Sequence, residues 1–330
     1  MLSKTITLLL LSFASTSALA AGGGMTDLNL MWAIPFMGIL LSIAVFPLVA
    51  PHFWHHHFGK IAAFWIALFL IPAIFSFGGG SVAGIVAHAL LAEYIPFIIL
   101  ISALYIISGG IYIKGNLHGT PKLNTTILTI GTLLASIMGT TGAAMLLIRP
   151  LLRANDNRKH KVHVVVFFIF LVANIGGSLT PLGDPPLFLG FLKGVPFAWT
   201  LEHLWMDTLL SAALLLPLFY AIDSYYFHRR EEELPAIMDP TPDSKYFSLD
   251  GGLNFLWLVG AIGFVLLSGL WKPGVSFDVL GTHVELQNIV RDVGLLSMAL
   301  LSWVTTNMSV RYENRFNFEP VFEVGKLFIA

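Results

Sequence analysis

Apolar runs long enough to cross a hydrocarbon core recur near residues 30–50, 60–77, 94–113, 162–178, 203–227, 254–271 and 287–306. Each reads as a helix, because a span needs roughly 20 apolar residues at 1.5 Å of rise apiece. The pattern therefore predicts an all-α polytopic membrane protein. Trp32, Trp54, Trp199, Trp205, Trp271 and the pair Tyr225-Tyr226 lie near the ends of these runs, where amphipathic rings favour the headgroup region.

The first residues have Lys4, an apolar run from Ile6 to Phe13 and the small-residue ending Ala18-Leu19-Ala20. That order predicts a signal peptide over 1–20, cleaved after Ala20; the alternative is an uncleaved first helix. The polar stretch from His228 to Gly252, with Arg229-Arg230-Glu231-Glu232-Glu233, reads as a cytoplasmic linker. It divides a first membrane half, 21–227, from the start of a second, 253–330, expected to be cut short at Ala330. Glu93-Tyr94-Ile95-Pro96-Phe97 and Glu319-Pro320-Val321 open apolar runs in the two halves and are expected to run oppositely, as in an inverted repeat.

Lys and Arg concentrate in loops on the cytoplasmic side of a membrane. With the mature N-terminus outside a bacterial-type inner membrane, Lys60, Lys114, Lys122, Arg149, Arg153, Arg158, Lys159, Lys161, Arg229, Arg230, Lys245, Arg311 and Arg315 share one side. Lys193 and Lys272 fall opposite. The count works only if the segment from Asn124 to Ile148 enters and leaves on one side, as a re-entrant hairpin.

Composition narrows the class. The chain is 56% hydrophobic and 11% charged, against roughly a quarter charged in soluble domains. A net charge of −1 offers no basic surface for nucleic acid, and the absence of cysteine removes disulfides, thiolate metal sites and thiol nucleophiles. The expected partners are the lipid bilayer, a small ion or carboxylate substrate, and a second copy in a homodimer.

Two irregular segments carry the candidate chemistry. In Ser136-Ile137-Met138-Gly139-Thr140-Thr141-Gly142-Ala143-Ala144, two glycines and two threonines mark a turn at membrane depth. Freed backbone survives there only against protein or a watery cavity, where amides suit a carboxylate, and carbonyls and hydroxyls suit sodium. The bland reading is small-residue helix packing. In Asn174-Ile175-Gly176-Gly177-Ser178-Leu179-Thr180-Pro181-Leu182-Gly183-Asp184-Pro185-Pro186, prolines and glycines cannot continue a helix, so it must unwind. Asp184 then lies among unwound backbone, where an ionised group needs water or a partner, and where protonation and cation binding exclude one another. The bland reading is a cap on an extramembrane loop.

Other features are expected to be structural. His52, His55, His56 and His57 lack a neighbouring carboxylate and read as interfacial anchors in the first cytoplasmic loop. Gly78-Gly79-Gly80 lacks the Lys-Ser/Thr ending of a phosphate loop. Arg291-Asp292 reads as a locally neutralised or snorkelling pair, and Asp207 and Asp223 are expected to face headgroups or water.

The motif Asn-x-Gly-Gly-Ser-x-Thr-Pro-x-Gly-Asp, preceded by Gly-Thr-Thr-Gly, resembles the ion transporter superfamily of NhaD-type sodium/proton antiporters, arsenite permeases and citrate or dicarboxylate carriers. The likeness is greatest to the citrate transporter and sodium:proton antiporter branch and covers essentially 25–330. It implies two inverted repeats, each with a re-entrant hairpin and a broken helix, meeting at a midplane site. Gly139, Thr140, Thr141 and Gly142 match the first hairpin tip. Asn174, Gly176, Gly177, Ser178, Thr180, Gly183 and Asp184 match the first broken helix. Gly183-Asp184 is like the antiporters, whereas carboxylate carriers tend to show Gly-Asn. The resemblance implies a secondary transporter, not an enzyme, exchanging sodium for protons, with no cofactor beyond those ions; the alternative is a sodium- or proton-coupled citrate symporter. Asp184 would titrate, and Thr140, Thr141, Asn174, Ser178 and Thr180 would supply oxygens. The second hairpin and second break are expected beyond the end of the chain.

Overall fold

A computed structural model describes residues 29–115, 117–229 and 248–329. The expected signal segment and the linker residues 230–247 lie outside them. The described residues form two compact units, one of 29–83 with 323–329 and the other of 84–322.

In the first unit, α1 (Ile34–Val49) and α2 (Pro51–Phe77) pack together. The break between them falls at Ala50-Pro51, because proline supplies no amide to continue α1. Gly38 lies against the Trp65 ring, whose Nε1 donates to Ser42 Oγ at 3.1 Å; small residues here permit close helix approach in lipid. The histidines fall in the first turns of α2 rather than in a loop. His52 and His56 approach each other at 3.2 Å, exposed, and among the described residues no group of three His, Cys, Asp or Glu side chains could hold a metal.

The second unit carries all but the first five residues of α3 (Gly79–Ser108), which starts earlier than its apolar run because Gly78, at φ +83°, turns the chain straight into a new helix. It also ends earlier. Tyr112 and Ile113, read as membrane-spanning, belong instead to β1 (Tyr112–Lys114), paired antiparallel with β2 (Ser248–Asp250). Lys114 holds the ribbon with ion pairs to Asp250 at 2.7 Å and Glu313 at 3.3 Å.

Next come α4 (Pro121–Met138) and α5 (Thr140–Ala154), joined at Gly139, whose φ of +80° is a conformation that favours glycine. Asn124 and Asn155 exchange amide hydrogen bonds of 3.0 and 2.8 Å, so the two arms begin and end at one level, and the pair is a hairpin. Small and polar residues share the inward face of α4 with Ile127, Leu128 and Met138, while apolar residues also face out. Ile130, Leu133 and Ile137 face outward while Asn124, Gly131, Thr132, Ala135 and Ser136 face in.

The broken helix follows. α6 (Val162–Leu179) starts as an α-helix, widens to π-type winding over Ile169–Asn174 and tightens to 3-10 winding over Ile175–Leu179. Residues 180–184 are non-helical, and α7 (Pro185–Leu192) restarts with two prolines, where missing amides cost nothing. α8 (Trp199–Arg229) packs on the break and on α4. α9 (Asn254–Leu270) and α10 (Leu286–Thr305), linked by the hairpin β3 (Ser276–Val279) and β4 (Thr282–Glu285), pack on each other and on α3. Short helices α11 (Met308–Glu313) and α12 (Glu319–Phe328) close the chain. Arg315, after α11, has φ +43°, a left-handed conformation costing a side-chain-bearing residue about 1–2 kcal/mol.

Among the described residues five helices are long and apolar enough to cross a membrane, and large apolar side chains such as Leu48, Phe75 and Leu214 remain exposed on them. The protein is an all-α polytopic membrane protein.

Several charges correct the sequence reading. Asp223 faces neither headgroups nor water: it is fully buried, ion-paired to Arg158 at 2.6 Å and bonded to His163 Nε2 at 2.7 Å and Asn124 Nδ2 at 2.9 Å. Arg158, placed with the loop charges, is buried beside it because the hairpin base folds over α8. Arg311 is likewise buried, donating to the carbonyls of Ile106 at 2.8 Å and Ser302 at 3.0 Å. For Arg291 the first of the two expected readings holds: it is buried and neutralised by Asp292 at 2.8 Å.

Candidate functional site

The hairpin tip meets the helix break through backbone. The Thr140 amide donates to the Gly183 carbonyl at 3.0 Å, and a Cβ on Gly183 would lie 2.0 Å from the Gly177 carbonyl oxygen. The chain therefore doubles back on itself between residues 177 and 183 more closely than any side chain permits. Gly176 is pressed as tightly on α4, where its Cβ would lie 2.6 Å from the Thr132 carbonyl. A reciprocal clasp completes the junction: Ser136 Oγ donates to the Gly176 carbonyl, and Thr180 Oγ1 donates to the Ser136 carbonyl. The Gly176 carbonyl in the break is thus satisfied from α4, and the Ser136 carbonyl on α4 from the break, as a non-aqueous setting requires.

Between tip and break lies a cavity of about 30 Å³. One water needs roughly 10–15 Å³, so this space has room for a small ion with a water. Gly139, Thr140, Thr141, Gly142, Gly183 and Asp184 line it, and Leu104, Tyr105, Met138 and Phe188 wall it in. Two helix N-termini converge there, those of α5 and α7, each with the positive end of its dipole toward the cavity.

Asp184 is the N-cap residue of α7, half-buried, yet its carboxylate makes no capping bond. Pro185 and Pro186 have no amide hydrogens to offer it. Among the described residues no side chain pairs with it. An uncompensated carboxylate at a helix break leaves its oxygens available to a proton or a cation.

Six of the expected site residues thus come together. The remaining five are placed elsewhere. Asn174 is exposed, its amide donating to the Ile169 carbonyl at 2.9 Å. Ser178 Oγ is engaged with the Ile175 carbonyl at 2.7 Å and Thr208 Oγ1 at 2.6 Å, and Thr180 belongs to the clasp. Gly176 and Gly177 serve close backbone packing. These five shape the break rather than line the cavity. Ser136, which opens the first candidate segment without an expected role, and Tyr105 also contribute; the inward spacing of Asn124, Thr132 and Ser136 on α4 is the sequence signal for the first.

No curated protein and no solved structure matches the chain. The family described as "Putative citrate transport" matches residues 25–330, nearly the full length and including every element of the site. The chain belongs to this citrate transport family and is a secondary transporter.

Proposed function

We propose that the protein is a sodium/proton antiporter in which Asp184 carries a proton and a sodium ion in turn. The observation that supports this most is the unpaired Asp184 carboxylate beside a cavity the size of a small ion. Hard cations take oxygen ligands. Asp184, the Thr140 and Thr141 hydroxyls and nearby carbonyls offer such a set. Sodium binding requires the carboxylate to be ionised, so each ion displaces the other, and exchange follows when the site opens to alternate sides. In this reading the hairpin is re-entrant, the protein sits in an inner membrane with its mature N-terminus outside, and two copies form a homodimer.

A second reading, sodium- or proton-coupled citrate symport, draws on the family's description and on the two converging helix N-termini, which suit a carboxylate. Inverted membrane vesicles carrying the full-length protein separate the two. Antiport predicts that added sodium dissipates a preformed pH gradient while labelled citrate does not accumulate. Citrate accumulation driven by a sodium gradient, without proton exchange, would replace the first reading by the second.

A further inference from the structure

We propose that the cleft at the base of the hairpin is an oxyanion site whose cationic walls are Arg149 and Arg315. The cleft has a volume of about 1060 Å³ and lies between the C-terminal half of α5, β1 and the turn after α11. Arg149 is about two turns along α5 from the residues at the ion cavity, so the two sites are separate.

The charges around the cleft do not cancel locally. Arg153 is engaged with the Tyr112 hydroxyl at 2.9 Å and the Ile113 carbonyl at 3.3 Å, and Glu313 is paired with Lys114 at 3.3 Å. Asp156 is exposed. That leaves Arg149 and Arg315, whose side chains make no hydrogen bond or ion pair among the described residues and which lie close enough for their positive charges to repel. A bound oxyanion relieves that repulsion, and guanidinium groups suit it because each presents two parallel donors.

The backbone at Arg315 is an independent sign. Its amide donates to the Tyr312 carbonyl at 2.8 Å, and the Phe316 amide to the Arg311 carbonyl at 2.8 Å. This is the double bond pattern that ends a helix through a left-handed residue, a place glycine normally fills. An arginine held there against its backbone preference supplies something glycine cannot, a charge facing the cleft.

The oxyanion is either the phosphate of an anionic lipid headgroup or a free multivalent anion. The test uses purified full-length protein, wild type and the variants Arg149→Gln and Arg315→Gly. Thermal midpoints are titrated with citrate and with inorganic phosphate, each against chloride of equal ionic strength, and with phosphatidylglycerol against phosphatidylcholine in mixed micelles. Wild type is expected to show saturable protection in one arm, which names the source. Each variant is expected to bind about ten-fold more weakly, the loss of one charge-assisted contact. Arg315→Gly should melt no lower than wild type without anion, because glycine relieves the strained turn, so its lost protection is not misfolding. Asp184→Asn should keep the protection, which distinguishes this site from the ion cavity. Absence of protection in all arms, or equal protection in both variants, would overturn the proposal.

Discussion

Replacing Asp223 by alanine is expected to destabilise the protein by about 3–5 kcal/mol, the cost of leaving a buried charge without its partner. The stranded charge is Arg158, whose side chain is fully buried and which meets Asp223 at 2.6 Å. The same substitution removes the acceptor for His163 and for Asn124, and Asn124 is one half of the amide pair that closes the hairpin base. The effect should therefore spread from α8 into α4 and α5. Removing both charges with residues of similar volume, Arg158→Met with Asp223→Leu, is expected to recover most of the loss, because a buried pair is worth little more than a well-packed apolar contact. Unfolding titrations of the single and double variants in detergent check both statements. A loss below about 1 kcal/mol for Asp223→Ala, the size of an exposed ion pair, would contradict the burial of the cluster.

Gly183→Ala is the second large effect. The added Cβ meets the Gly177 carbonyl oxygen at 2.0 Å and its carbon at 2.6 Å, both backbone atoms with no flexible end to swing aside. The doubled-back chain must open, and the Thr140–Gly183 bond that joins tip to break goes with it. Overpacking of this kind costs about 1–3 kcal/mol, and transport is expected to be lost outright because the cavity is defined by this junction. Gly263→Ala is the control. It lies within α9 with open space around its Cβ, so the substitution is expected to add about 0.5–1 kcal/mol from helix propensity and leave transport unchanged. Paired melting and transport measurements on the two variants separate a site defect from a general one. Normal transport in Gly183→Ala would show that the close approach is dispensable.

The parts of this structure legible in the sequence are those fixed by local chemistry. Pro181, Pro185 and Pro186 with their neighbouring glycines forbid a continuous helix whatever surrounds them, so the break could be read directly. Lys122 and Arg149 on either side of Gly139 pointed to a hairpin, and the Asn124–Asn155 pair closes one. What escaped depends on distant partners. Tyr112 and Ile113 are apolar enough for a membrane run, and only their pairing with Leu249 and Asp250 makes them a strand. Asp223 and Arg158 each look like interfacial charges until the hairpin base brings them together. For Ser178 and Thr180, residue type suggested cation ligands but could not give direction; the tight winding of residues 175–179 and the extended residue that follows it turn the two hydroxyls onto neighbouring helices.

Sodium-dependent proton movement in proteoliposomes, comparing full-length wild type with Asp184→Asn, tests the role of the unpaired carboxylate most directly. Asparagine keeps the size and an oxygen but can neither release a proton nor neutralise a cation. Wild type is expected to collapse an imposed pH gradient when sodium is added, and the variant to leave it intact while still melting like wild type. Undiminished exchange in Asp184→Asn would contradict the assignment and move the transported charge to another residue.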